Sequence, residues 1–256
     1  MMNELSAKDL NALLDFLDGY ELETVLQNGN LVSSVKRLHR VYFGLITCTA
    51  ELEMLSDYNG LSDKPSRDSI KFLKEVCSDL GHAFFCNIQG TYKGAGMLLR
   101  SSLENFWKFI IATSDNTAIT EYGFRLKNRA KLAYMSNLLV GELLDEMYVN
   151  HYSYLSKMVH TSNLRQMEQT SALNYFPKFA DDPSKKVESQ FVKLSQYFSL
   201  ISCLIFKGCF HEMHPSNQKI ILKGIAPNRR AIVLGDTVSR DLSQKNITRT
   251  SSNSIS

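Results

Sequence analysis

The sequence predicts an all-α helical bundle that ends in a short basic tail. Three observations carry this reading. Apolar residues recur at helical spacing along most of the chain, as in Leu10, Leu13, Leu14 and Leu17. Strand-type alternation is missing before Pro215. Turn-forming clusters, "NGN" from Asn28, "DYNGLSDKPS" from Asp57 and "LNYFPKFADDPS" from Leu173, divide the periodic stretches.

The elements follow in order. Ser6 is a suitable N-cap for a first helix that runs towards "NGN". A long second helix places Leu31, Val35, Leu38, Tyr42, Leu45, Ile46, Leu52 and Leu55 on one stripe. Pro65 suits the first turn of a third helix, "RDSIKFLKEVCSDL". Gly90, Gly94 and Gly96 then weaken the helix and suggest close approach of a neighbouring helix. From Met97 to Ile111, Leu99, Leu103, Phe106 and Ile110 form a ridge, with Trp107 beside Leu103 and Glu104. "TSDNTA" caps a helix through "ITEYGFRLKNRAKLAYMSNLLV", in which Arg125, Lys127, Arg129 and Lys131 read as a solvated face. "GELLDEMYVNHYSYLSKMVHTS" continues as helix, and "KKVESQFVKLSQYFSLISCLIFKGCF" reads as the most buried helix. After Pro215, two β-prone runs flank "APNRR" and predict a small hairpin. The last twenty residues carry little apolar mass and predict a mobile tail. The resulting segments are an N-terminal helical hairpin at 1–65, a bundle at 66–215 and a basic tail at 216–256.

Composition narrows the function classes. Hydrophobic residues make up 44% of the chain and charged residues 21%, the balance of an ordinary globular protein. The net charge of +3 is unevenly spread: seven Lys or Arg against two acids give residues 216–256 a charge of +5, which leaves −2 for residues 1–215. Such a tail is suited to an acidic partner or nucleic acid, and equally to simple solvation. The longest apolar run, "YFSLISCLIF", is well short of the roughly 20 residues that span a bilayer. The first residues lack a basic start followed by an apolar run. A cytoplasmic protein without a membrane partner is expected. The five cysteines contain no CxxC pair and read as reduced core residues. Cys209, His211 and His214 crowd together, but no second ligand pair with zinc spacing accompanies them, so neither metal nor cofactor is expected.

Two polar pairs interrupt apolar helix faces. Arg100 and Glu104 are four residues apart beside the Leu, Phe and Trp ridge. In "HYSYLSKMVHTS", Ser156 and His160 are four apart beside Leu155 and Val159, with Tyr152 four residues before Ser156. A buried charge is costly unless paired, so one shared network is more plausible than two separate defects. Packing of the two helices against each other would form it.

Together, "GMLLRSSLENFWKFI" and, some 45 residues later, "YSYLSKMVHTS" resemble the HEPN-like helical proteins of bacterial abortive-infection and toxin systems, over roughly residues 70–215. The shared pattern is Arg-x-x-x-Glu on one long helix, then an aromatic and Ser-x-x-x-His on a later one. Here these are Arg100, Glu104, Tyr152 or Tyr154, Ser156, His160 and the following Ser162. The resemblance implies an all-α bundle, often a homodimer, acting in antiviral defence and in many members cleaving RNA without metal. It implies His160 as base or acid, Arg100 on the phosphate, Glu104 orienting either, and Ser156 as a hydrogen-bond partner. Active members usually carry Arg-x(4–6)-His on one helix. None of the six histidines here has an Arg at that spacing, so the cation falls to Arg100 on another helix. The expected partner is RNA. The alternative is a non-catalytic helical subunit that docks a partner enzyme of the same defence system, favoured by the missing motif and the aromatic-rich helices.

Overall fold

A computed structural model describes residues 4–18, 27, 29–114, 120–159 and 179–235. Every regular element among them is helical. In chain order these are α1 (Glu4–Asp18), α2 (Gly29–Ser56), α3 (Arg67–Ile88), α4 (Tyr92–Ser114), α5 (Gly123–Ala133) and α6 (Leu138–Met147). A π turn (Tyr148–Tyr152) leads into α7 (Ser153–Val159). Next come α8 (Asp181–Ile205), α9 (Lys207–Glu212), α10 (Pro215–Gly224), a 3-10 turn (Pro227–Arg229) and α11 (Arg230–Leu234). The all-α expectation is met.

Several boundaries differ from the sequence reading. α1 covers Glu4–Asp18, so Ser6 lies inside it. Ser66, not Pro65, starts α3: its backbone is extended and its hydroxyl accepts the Ser69 N–H at 3.1 Å. Gly90, at φ 81°, ends α3 in the left-handed conformation, and the Thr91 N–H returns to the Cys86 carbonyl at 2.9 Å. The stretch read as one helix through Arg125 and Leu139 is two, because the Asn137 side chain caps α6 by accepting the Val140 N–H at 3.2 Å.

The hairpin expectation is corrected. "KIILKGIAPNRRAIVLGD" forms α10, the 3-10 turn and α11 up to the last described residue, Gly235. Pro215 sits in the first turn of α10, and the His214 ring accepts the Ser216 N–H at 3.3 Å. Ile220 and Ile221 are buried, so packing outweighs their β preference. α10 crosses α2 at a pair of glycines: a Cβ on Gly44 would lie 3.1 Å from the Gly224 Cα. Any side chain there would force the two backbones apart. The rest of the tail, residues 236–256, lies outside the described residues.

One core runs from Leu10 to Val233 and draws on all three sequence segments. Its centre is where α4 meets α8. Phe106 stacks on Phe198 with centroids 4.4 Å apart, and Phe109 lies 5.8 Å from Phe206. Trp107, Phe106, Phe109, Phe191 and Phe198 are all fully buried. Of the three glycines expected at close approaches, Gly96 makes one, since its Cβ would meet the Met158 methyl at 3.2 Å; Gly90 serves a turn. Cys48, Cys203 and Cys209 are buried, and all five cysteines are free thiols. Among the described residues, no helix is long and apolar enough to cross a membrane.

Candidate functional site

The site is organised by the π turn between α6 and α7. There the Ser153 N–H reaches back five residues to the Tyr148 carbonyl, which inserts one extra residue into the helical path. Neighbouring His151 and Tyr152 are therefore both buried, at 3% and 9% exposure, but against different helices. Tyr152 faces α4, and His151 faces α8.

On the α4 side, Arg100, Glu104 and Tyr152 are joined by hydrogen bonds. Arg100 Nε donates to Glu104 Oε1 at 3.3 Å, and an Arg100 terminal nitrogen donates to the Tyr152 hydroxyl at 3.0 Å. That hydroxyl donates to Glu104 Oε1 at 2.9 Å. The guanidinium also lies 5.1 Å from the centroid of the Tyr152 ring. Both charged side chains remain partly open to solvent, Arg100 at 23% and Glu104 at 15%. Burial, and then the bond to Glu104, push the Tyr152 phenol above its ordinary pKa. The phenol is thus a neutral donor at physiological pH.

Aromatic rings hold this cluster in place. Tyr152 stacks on Tyr148 at 5.4 Å and tilts against Trp107 at 5.3 Å. Gly123, with φ 55°, leaves room for the phenol: a Cβ there would sit 2.7 Å from the Tyr152 oxygen. Next to it, Lys127 is placed differently from the solvated face expected for α5. Only 7% exposed, its ammonium lies over the rings of Phe124 (4.7 Å) and Tyr148 (4.8 Å) and donates to Asp145 at 2.9 Å. Bonds from Lys131 and then Lys127 hold the Asp145 carboxyl below the usual carboxylate range. The reason is geometric: on so short a helix, the face carrying Lys127 meets the π turn.

Of the residues expected to form the site, the described ones are placed as follows. Arg100 and Glu104 are paired, on a helix that packs against α7. Their common partner is Tyr152; Tyr154, the other aromatic candidate, is 36% exposed. The Ser156 hydroxyl is buried and has no hydrogen-bond partner among the described residues. His160 follows α7 by one residue in sequence and lies outside the described residues, as does Ser162. In the cysteine–histidine cluster, Cys209 turns into the core while His214 caps α10. Burial pushes the Cys209 thiol up to about 11.

On the α8 side lies a polar cleft that the sequence reading missed. His151 Nδ1 meets Gln190 Oε1 at 2.6 Å, which places the proton on Nδ1. Burial pushes the imidazole below its ordinary pKa, so it is neutral at physiological pH. Across the cleft, Arg229 reaches both oxygens of Glu146, at 3.2 and 3.0 Å, and lies over the Tyr197 ring at 4.7 Å. Burial, followed by Glu146, raises the Tyr197 phenol to about 12. Two features hid this cleft. Arg229 falls in the stretch read as a hairpin, and an α-helical spacing of Tyr152, Ser156 and His160 says nothing of His151. Comparison of the chain with protein-family models, curated proteins and solved structures finds no match.

Proposed function

We propose that the protein is a HEPN-like helical effector of a bacterial defence system that acts on RNA without a metal. The observation that carries this reading is the Arg100–Glu104–Tyr152 cluster, a fixed and partly open cation at the joint of α4 with the π turn. The chemistry follows from the residues the resemblance assigns. His160 takes the proton of a ribose 2′-OH, O2′ attacks phosphorus, and the leaving O5′ takes up a proton. Arg100 stabilises the added charge on the phosphorane, and Glu104 and Tyr152 hold its guanidinium plane. The products are a 2′,3′-cyclic phosphate and a 5′-hydroxyl.

Growth on induced expression tests this. Wild-type protein is expected to arrest growth, and Arg100→Ala and His160→Ala, if stably folded, to relieve the arrest. Equal arrest by all three would remove the assignment.

A second reading is favoured by one observation. Leu132, Met135 and Leu138, around the turn between α5 and α6, are 64%, 69% and 80% exposed. Such side chains suit a non-catalytic subunit that docks a partner. An arrest that survives Arg100→Ala and His160→Ala but is lost with Leu138→Lys selects this reading instead.

A further inference from the structure

The cleft beside His151 has the size and chemistry of a ligand site. It holds about 590 Å³ between the π turn, α8 and the 3-10 turn Pro227–Arg229, within the ~300–1,000 Å³ range of small-molecule sites. Two kinds of group line it. Lys193 and Arg229 are cations, against the single carboxylate of Glu146. Lys193 is exposed, and no hydrogen bond or ion pair engages its ammonium among the described residues. Arg229 is held between Glu146 and the Tyr197 ring. The remaining wall is rich in side-chain amides, from Asn150, Gln190, Gln196 and Asn228, together with the buried His151. Amides present a donor and an acceptor side by side, the pattern that matches the edge of a nucleobase. The neutral His151 leaves the cleft with one surplus positive charge rather than two.

The cationic surface does not stop at the cleft. A second depression of about 500 Å³ shares Lys193 and Gln196 with it and adds Arg37 and Lys185. Arg37 is paired with the buried Glu188. Lys185 and Lys193 lie eight residues apart on α8, which is about 12 Å along the helix.

We propose that the cleft binds a nucleotide, its base edge met by the amides and its phosphate by Lys193 and Arg229. The nucleotide is either free or part of a single strand whose next phosphates run past Lys185. This does not rest on the RNA-cleaving reading: the cleft lies on the other side of the π turn, and its test is binding without turnover.

Titration of the full-length protein with the four nucleoside 5′-monophosphates, inorganic phosphate and a single-stranded RNA octamer, at low salt, tests the proposal. At least one nucleotide or the octamer is expected to bind more tightly than inorganic phosphate. Lys193→Glu is expected to weaken that binding at least tenfold. Lys219→Glu, on the exposed surface of α10, makes the same charge change and is expected to leave binding within twofold. Asn228→Ala is expected to weaken nucleotide binding several-fold while sparing inorganic phosphate. Tighter binding of the octamer that Lys185→Glu reduces identifies the strand as the ligand; nucleotide binding indifferent to Lys185→Glu identifies the free nucleotide. Three outcomes would each overturn the proposal: no binding of nucleotide or octamer, equal weakening by Lys193→Glu and Lys219→Glu, or inorganic phosphate binding as tightly as every nucleotide and the octamer.

Discussion

The Tyr152 hydroxyl both accepts from Arg100 and donates to Glu104, so it joins two charges that would otherwise share one long contact. Tyr152→Phe keeps the ring stacked on Tyr148 and removes only this link. It is expected to cost about 1–3 kcal/mol in chemical denaturation, the range for leaving buried polar groups without a partner. A change below a few tenths would mean that water replaces the phenol without loss. The neighbouring His151 gives a pH signature. Burial, opposed by the bond to Gln190, holds the folded imidazole below the value near ~6.5 that the unfolded chain has. The stabilisation is therefore complete above that pH and is lost as pH falls towards the folded value, because the unfolded state takes up the proton first. Between pH 7 and 5.5 the melting temperature of the wild type should fall more steeply than that of His151→Gln. Parallel curves would show that the imidazole is as easily protonated folded as unfolded.

At the scale of elements, the π turn decides which residues meet. Its extra residue lets adjacent side chains be buried against α4 and α8 at once. Deleting Val149, which is 66% exposed, would return the segment to α-helical spacing and turn one of the two side chains away from its partner. The expected result is a folded helical protein with a weakened near-ultraviolet signal from Trp107 and its tyrosine neighbours, or with the cleft lost. An unchanged spectrum together with unchanged nucleotide binding would show that the turn is only a local irregularity. The helices themselves were legible in the sequence because the stripe of α2 and the ridge of α4 repeat over several turns. The π turn was not, since "YVNHY" carries the same residue types as the α-helix around it. The hairpin was misread because "KIILKG" has β-branched residues whose helical state depends on burial against α2, a tertiary fact. Arg100 and Glu104 could be paired from their spacing alone, whereas their link to Tyr152 required the fold.

Over the whole molecule, the core does not respect the boundary at Pro215. Ile221, Ile225 and Val233 belong to the same cluster as Leu45 and Phe198. A chain ending after residue 214 is therefore expected to aggregate or melt at much lower temperature, while one ending after Gly235 retains all the described core. Equal stability of the two would mean that α10 and α11 only decorate the bundle. The contact between Gly44 and Gly224 makes the same point with one atom: Gly44→Ala is expected to cost about 1–3 kcal/mol, since a methyl group 3.1 Å from the opposing backbone must push α2 and α10 apart.

The reading of the molecule as an RNA-directed effector is tested most directly on RNA itself. Purified full-length protein would be incubated with total cellular RNA in EDTA, and the fragment ends analysed. The expected result is cleavage that leaves 2′,3′-cyclic phosphate ends, lost in both His160→Ala and Arg100→Ala and retained in Lys219→Glu. Intact RNA, or identical fragments from the wild type and both site variants, would contradict it.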